Sequence, residues 1–365
     1  MRRRDLLVGG GAFAAAGAGA TYLGLRQMGT MKEYNASAAA ARTILAPAPE
    51  MPEYIRYATL AASGHNTQPW RFRIGGSQIE ILPDFSRRTP VVDPDDHHLF
   101  ASLGCAAENL ALVASARGRD GELRFDPENG GSAVLALGRS AGASSLLFDA
   151  IPSRQSTRRE YDGRQVSAAD LRTLAAAAAI RGVDLILITD RPQATRVRDL
   201  VLAGNTAQMA DAAFMRELKS WLRFSPREAI ESGDGLFSAA SGSPILPAWL
   251  GPRVVSLVLK PAAENDKYAR QVASSAGLAV FVSQRNDPAH WFLAGRACQR
   301  FALQATALGL KCAFINQPVE VPELRPALAS LVGLPGRRPD LVMRFGYGPA
   351  LPFSARRPPG RLILP

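Results

Sequence analysis

The sequence predicts an α+β layered fold made of two tandem halves, and three observations carry that expectation. Residues 104–118 (GCAAENLALVASARG) and 295–309 (GRACQRFALQATALG) agree without gaps at seven of fifteen positions, and both end in Gly as buried alanine-rich helices do. Strand-like runs at 278–284 (LAVFVSQ) and 340–348 (DLVMRFGYG) bracket the second of these helices, which favours interleaved helices and strands. Finally, 365 residues that are 47% hydrophobic, at a mean hydropathy of −0.03, supply a large core. These values exclude a polytopic membrane protein and a mostly disordered chain.

Residues 1–30 read as an export signal: Arg2, Arg3 and Arg4 precede a Gly/Ala-rich apolar stretch, with Ala18 and Ala20 offering a cleavage site. The adjacent arginines before Asp5-Leu6-Leu7 resemble the twin-arginine signal, so an exported protein is expected, periplasmic or anchored facing the periplasm. Cleaved signal and retained anchor both remain open. The glycines at 9–11, 17 and 19 lack the preceding strand that a dinucleotide loop needs. Residues 31–50 read as an Ala/Pro-rich linker, 51–150 as a first, partial half and 151–365 as a second half.

Within the first half, 71–82 is a hairpin around Gly75-Gly76. In the second, 183–190 is a strand and 192–223 an amphipathic helix carrying Val197, Leu200, Val201 and Met209. The Gly/Ser/Pro-rich stretch 224–253 is too long for a plain connection and reads as a lid, with Leu236, Phe237, Trp249 and their neighbours needing something to cover.

Two segments carry chemistry. In 62–72 (ASGHNTQPWRF), Ser63, Asn66 and Gln68 set donors and acceptors beside an apolar Trp, as the edge of a planar heteroaromatic ligand requires; an ordinary turn entering a strand uses the same residues. In 153–163 (SRQSTRREYDG), Arg154, Ser156 and Arg158 alternate, so an extended backbone points them one way, toward a phosphate monoester or toward solvent. Adjacent His97 and His98 point apart, so no metal site is expected, and Cys105 and Cys298 read as buried apolar residues. Three cysteines do not make a disulfide scaffold.

Arg-x-Ser-x-Arg followed by an aromatic, together with Ser-x-x-Asn-x-Gln-Pro-Trp, resembles the nitroreductase family of flavin proteins. The order of the motifs, Asn/Gln at 63–70 before Arg at 154–161, resembles the Acg-like branch, in which two halves are fused and the usual dimer becomes an intrachain pseudo-dimer. The resemblance covers about residues 50–360. It implies FMN as cofactor, with Arg154, Ser156 and Arg158 at the phosphate, Arg356 or Arg357 closing that pocket, and Asn66 and Gln68 at the pyrimidine edge. Backbone N–H groups of the turn Phe314-Ile315-Asn316 would face the redox-active edge of the ring. No arginine motif precedes Ser63, so one FMN per chain is implied.

Two functions follow from the resemblance. One is an exported FMN-dependent oxidoreductase passing hydride or electrons from a small-molecule donor to nitroaromatic or quinone-type acceptors. The other is a protein that sequesters or senses FMN without turnover, beneath the lid. The sequence identifies no acid–base residue. The net charge of +11 raises a third possibility, a nucleic-acid or membrane-surface binder. The first thirty residues hold four arginines against one aspartate, which leaves +8, and 38 of the 43 basic residues are arginines scattered along the chain. No nucleic-acid partner is therefore expected; the expected partners are FMN, the small molecules and the export machinery, around a monomer.

Overall fold

The computed structural model describes residues 28–365, so the expected export signal lies, up to residue 27, outside the described residues. Just beyond it, Thr30 and Glu33 form a reciprocal cap: the Thr30 hydroxyl accepts the Glu33 N–H, and the Glu33 carboxylate accepts the Thr30 N–H at 2.7 Å. With alanine's helix propensity this starts α1 (Met31–Ala40), which corrects the linker reading for 31–40, while 41–50 forms no helix or strand. Tyr34 and Ala38 pin α1 to the body in a cluster with Ala229 and Phe237.

The first half continues with α2 (Met51–Ala58) and a four-stranded antiparallel sheet in the order β1-β2-β4-β3. The hairpin falls where expected, β1 (Trp70–Gly75) and β2 (Gln78–Pro83), with Gly76 taking the positive φ of 48° at the turn. α3 (His97–Ala116) runs before β3 (Leu123–Asp126) and β4 (Ser132–Ala136), and α4 (Leu146–Ala150) closes the half.

The second half orders α5 (Ala168–Ala177), β5 (Val183–Ile188), α6 (Arg191–Ala210) and α7 (Ala212–Ser220). The single helix expected over 192–223 is thus two, because Asp211 leaves helical geometry and its carboxylate caps Ala213 N–H at 2.7 Å. The expected lid is only partly a loop: after β6 (Leu222–Arg223) it forms α8 (Pro226–Ser232) and β7 (Leu236–Phe237), runs irregularly over 242–250 and enters α9 (Gly251–Val258). Phe237 is buried against Tyr34, while Trp249 stays 59% exposed. Then come α10 (Pro261–Ala273), β8 (Gly277–Ser283), α11 (Pro288–Ala307) and β9 (Lys311–Phe314). The chain continues through α12 (Gln317–Glu320), α13 (Arg325–Leu331) and β10 (Leu341–Gly346).

The second sheet, β5-β8-β10-β9, is antiparallel and covered on both faces. Ala279 and Phe281 of β8 meet Phe301 of α11, while Leu278, Val280 and Val282 meet Val197 and Val201 of α6. That two-sided burial is why β8 is an unbroken apolar run rather than an alternating one.

α3 and α11, which carry the two alanine-rich stretches, cross at the centre of the molecule. A Cβ on Gly104 would lie 2.0 Å from the Phe292 carbonyl oxygen, and one on Gly295 would lie 1.9 Å from that of Ala101. The matching glycines of the repeat therefore let the two backbones touch. Around the crossing, buried Glu108 accepts from Arg296 at 2.8 Å and Arg300 at 2.7 Å, and Gln299 donates to Asn109 at 2.8 Å. The chain end ties the halves again, since Phe72 of β1 donates to Leu362 at 2.9 Å and accepts from Leu364 at 2.7 Å.

Candidate functional site

The turn 63–68 is strained. His65, Asn66 and Gln68 take φ of 46°, 56° and 52°, a region that costs a non-glycine residue about 1–2 kcal/mol. Side-chain amides hold it there. Asn66 Nδ2 donates to Gly235 O at 3.1 Å and Ala355 O at 3.2 Å, and its Oδ1 accepts from Arg356 Nη1 at 2.9 Å. Gln68 Nε2 donates to Gly233 O at 2.8 Å, and its Oε1 accepts the Arg357 N–H at 3.0 Å. The two amides expected at a ligand edge instead bind the lid segment and the C-terminal tail and do not line the cleft. Ser63 caps Gln68 N–H at 3.1 Å.

Behind the turn, three arginines converge where α2 runs out. Arg154 Nη2 donates to the carbonyl of Leu60; Arg356 Nη2 reaches Leu60 O at 3.3 Å and Ala61 O at 3.1 Å. Arg42 joins from the end of α1, stacked 4.1 Å over Phe353 and donating to Ala38 O at 3.1 Å. The buried Nε of each has no partner among the described residues, and no carboxylate there neutralises them. Burial, then the charge of Arg154, pushes Arg42 down to about 9; burial likewise lowers Arg154, and lowers Arg356 well below the usual range, with Arg42 and Arg154 adding to it. A cluster of desolvated, mutually repelling cations is unfavourable on its own and favourable around an anion.

Arg158 does not join them. The backbone N–H of Thr157 bonds to Cys312 O at 2.8 Å, beside the Ser156–Cys312 bridge, and Arg158 instead lines a cleft of roughly 1170 Å³, its open mouth included. The expectation that Arg154, Ser156 and Arg158 form one phosphate clamp is therefore corrected: Arg154 faces the arginine cluster, Arg158 the cleft, and Ser156 lines neither. Among the described residues the Arg158 guanidinium has no hydrogen-bond or ion-pair partner.

The cleft lies between the halves. Its walls take Ser63, His65 and His98 from the first half, Phe314, Asn316 and Glu320 from the second, and Leu236 and Leu259 from the insertion and its flank. Ala62 and Ser63 of this wall follow directly on the carbonyls that hold Arg154 and Arg356. Of the turn 314–316, the Ile315 N–H is taken by Val342 O at 2.9 Å and the Asn316 side chain accepts Val342 N–H at 2.8 Å, so Ile315 offers no free donor to the cleft. Burial, with Arg158 nearby, holds His65 down to about 4, and burial with His97 takes His98 well below its usual value; both are neutral at pH 7. Burial lifts Tyr268 to about 12. Glu320 is lifted to about 7 by burial, opposed by a 2.6 Å hydrogen bond from Gln208 and reinforced by Asp93 and Glu217.

Sequence reasoning missed Arg42, hidden in a presumed linker, and Glu320, whose neighbours in the chain are apolar. All three cysteines are buried, and their thiols are pushed up by that burial. Among the described residues no cluster of three metal-ligating side chains occurs.

Fold and site together define an α+β protein of two four-stranded sheets, joined by crossed helices and holding a cleft of mixed apolar and polar lining beside a cationic nest. The sequence model of the nitroreductase family matches residues 151–348, and the chain belongs to that family. It is similar to the Mycobacterium tuberculosis protein Rv3131, whose name carries the words NAD(P)H nitroreductase, at 28% identity over 314 residues, 82% of this chain and 87% of that one. The acg protein of the same organism, similarly named, is 23% identical over 318 residues, 83% of this chain and 92% of that one. The FMN-dependent nitroreductase NfnB of Mycobacterium smegmatis, solved in complex with NADPH, aligns with 56% of this chain and 87% of its own at 10% identity and a TM-score of 0.37.

Proposed function

We propose that the protein is an exported FMN-dependent oxidoreductase that passes hydride or electrons from a reduced small-molecule donor to nitroaromatic or quinone-type acceptors. The observation that carries this reading is the set of three unpartnered buried Nε atoms on Arg42, Arg154 and Arg356, beside a cleft of mixed apolar and polar lining. A phosphate supplies the negative charge and acceptor oxygens that such a cluster lacks. The residues fit FMN: Arg42, Arg154 and Arg356 would hold its phosphate, while Arg158 and the cleft walls would receive its ring. The bound flavin would supply two-electron chemistry. The chain's own part is to neutralise the phosphate, exclude water with Leu236, Phe314 and Leu341, and present cation and amide groups to the ring edge.

A second reading, FMN storage without turnover, draws support from the cover over the cleft. Leu236 sits in a segment fastened through Gly233 and Gly235 to Gln68 and Asn66, which restricts entry of a bulky donor.

One preparation tests both. The full-length chain is expected in the periplasmic fraction, yellow with bound flavin and bleached by NAD(P)H under anaerobic conditions. Bound flavin that stays oxidised favours storage, a flavin-free protein rejects both readings, and recovery from the cytoplasm rejects export. Arg154→Ala combined with Arg356→Ala is expected to weaken FMN retention by about a hundredfold or more, two charge-assisted contacts being worth roughly 3 kcal/mol or more together.

A further inference from the structure

Glu320 stands where two cavities meet. The cleft and a smaller outer hollow of about 450 Å³ share four lining side chains, Val92, Gln208, Phe214 and Glu320, and only Glu320 of these is ionisable. It ends α12 with its side chain 17% exposed, so one carboxyl borders both the interior and a depression rimmed by Asp211. Gln208 of α6 donates to Oε2 at 2.6 Å and fixes the group in place. The other oxygen lies 3.7 Å from His98 Nε2 on α3, too far for a hydrogen bond. Glu217 on α7 accepts the N–H groups of Val91 and Val92 at 2.9 and 3.0 Å, which sets the wall between the two spaces.

We propose that Glu320 is the proton relay of the cleft, giving its proton to the acceptor during reduction and recovering one from solvent through the outer hollow. The inference rests on the flavoenzyme reading above and supplies the acid that reading lacks. For a quinone-type acceptor the balance is simple. The Glu320 O–H bond breaks and a new O–H bond forms on the acceptor oxygen; a bound, reduced flavin would supply the hydride, and quinone plus hydride plus proton gives the hydroquinone. The carboxylate left behind takes its replacement proton from water in the hollow.

The surroundings suit the role. Asp93 ahead of α3 and Glu217 on α7 are like charges that disfavour the carboxylate, His98 is neutral and cannot pair with it, and Tyr268 on α10 keeps its proton. On the α13 side, Arg325 donates to Val319 O through Nε, and no arginine or lysine is among the groups that shift the Glu320 carboxyl. Burial then leaves the carboxyl titrating at about 7, where an acid is protonated yet able to release its proton.

The test uses the holoprotein, as wild type, Glu320→Gln and Glu320→Asp. Difference infrared spectra across about pH 5 to 9 report the protonated carboxyl directly, without turnover. A carboxyl band fading near neutral pH in the wild type and missing in Glu320→Gln is expected. In the wild type, kcat for quinone reduction should fall as pH rises through that same midpoint, with a solvent deuterium isotope effect. Glu320→Gln should lose about a hundredfold in kcat and the pH dependence with it, and Glu320→Asp should restore part of both. A wild-type band titrating in the ordinary carboxylate range overturns the proposal. So does an unchanged pH profile in a flavin-loaded Glu320→Gln protein, or, should that variant not fold, a wild-type kcat flat across neutral pH. Wild-type protein lacking flavin, or holding flavin that no donor reduces, overturns the flavoenzyme reading and the relay with it; normal reduction with an indifferent Glu320→Gln overturns the relay alone.

Discussion

Arg42, Arg154, Arg356 and Glu320 are among the described side chains whose burial the fold itself does not balance, and at Glu320 the imbalance is measurable through pH. Glu320 holds its proton to about pH 7 in the folded state, whereas an unfolded carboxyl releases it near 4.5. Between those values the folded chain binds more protons than the unfolded one, so stability falls as pH climbs through the window. The loss amounts to about 3 kcal/mol, and Glu320→Gln, uncharged throughout, is expected to abolish it. Denaturant midpoints at the two ends of the window check this: equal slopes against pH in variant and wild type would show that Glu320 is not the group. Part of this residue chemistry was legible and part was not. The spacing of Arg154 and Arg158 marked cations without deciding that they face different spaces, since alternation assumes a continuous strand and here the pairing is a single isolated bridge between Ser156 and Cys312. Asn66 and Gln68 were recognisable as amides with work to do, but their partners, Gly233, Gly235 and the tail, lie at least 165 residues away. No local pattern announces Arg42 or Glu320, because tertiary packing alone brings them to the site.

The crossing of α3 and α11 shows the reverse case, an element-scale feature written plainly in the sequence. Gly104 and Gly295 occupy the same place in the two copies of the alanine-rich stretch, and each is where the partner helix's backbone comes closest. Gly104→Ala or Gly295→Ala would drive a methyl group into a carbonyl oxygen on a rigid helix, so the helices must separate and strain the ion pairs of Glu108 with Arg296 and Arg300. A loss of about 3 kcal/mol is expected for each, at the upper end for overpacking. Urea unfolding measures it, and a change below about 0.5 kcal/mol, the size of an ordinary surface substitution, would mean the helices cross elsewhere. Alanine elsewhere in a helix interior is better than glycine, so propensity predicts the opposite sign. Other elements escaped the sequence for physical reasons: β3 and β9 are only four residues long, and α1 depends on a cap and on Tyr34 docking far along the chain.

For the molecule as a whole, the decisive question is how many chains and how many flavins make one working unit. Sheet edges invite a second chain unless something covers them. Here the outer edge of β1 pairs with residues 362–364, and that of β9 meets Ser156 and Thr157, so two of the edges are closed from within. The crossing of α3 and α11 likewise joins the two halves within one chain. The two halves are not equivalent at the site: Arg154, Arg158 and Arg356 come from the second half, the strained turn 63–68 from the first, and Arg42 from the segment before it. We therefore expect a monomer in solution with one FMN per chain. Sedimentation equilibrium combined with flavin absorbance reads both numbers at once. A dimer mass would mean that the internal pairing leaves an interface open, and two flavins per chain would mean that a second site binds without this arginine nest.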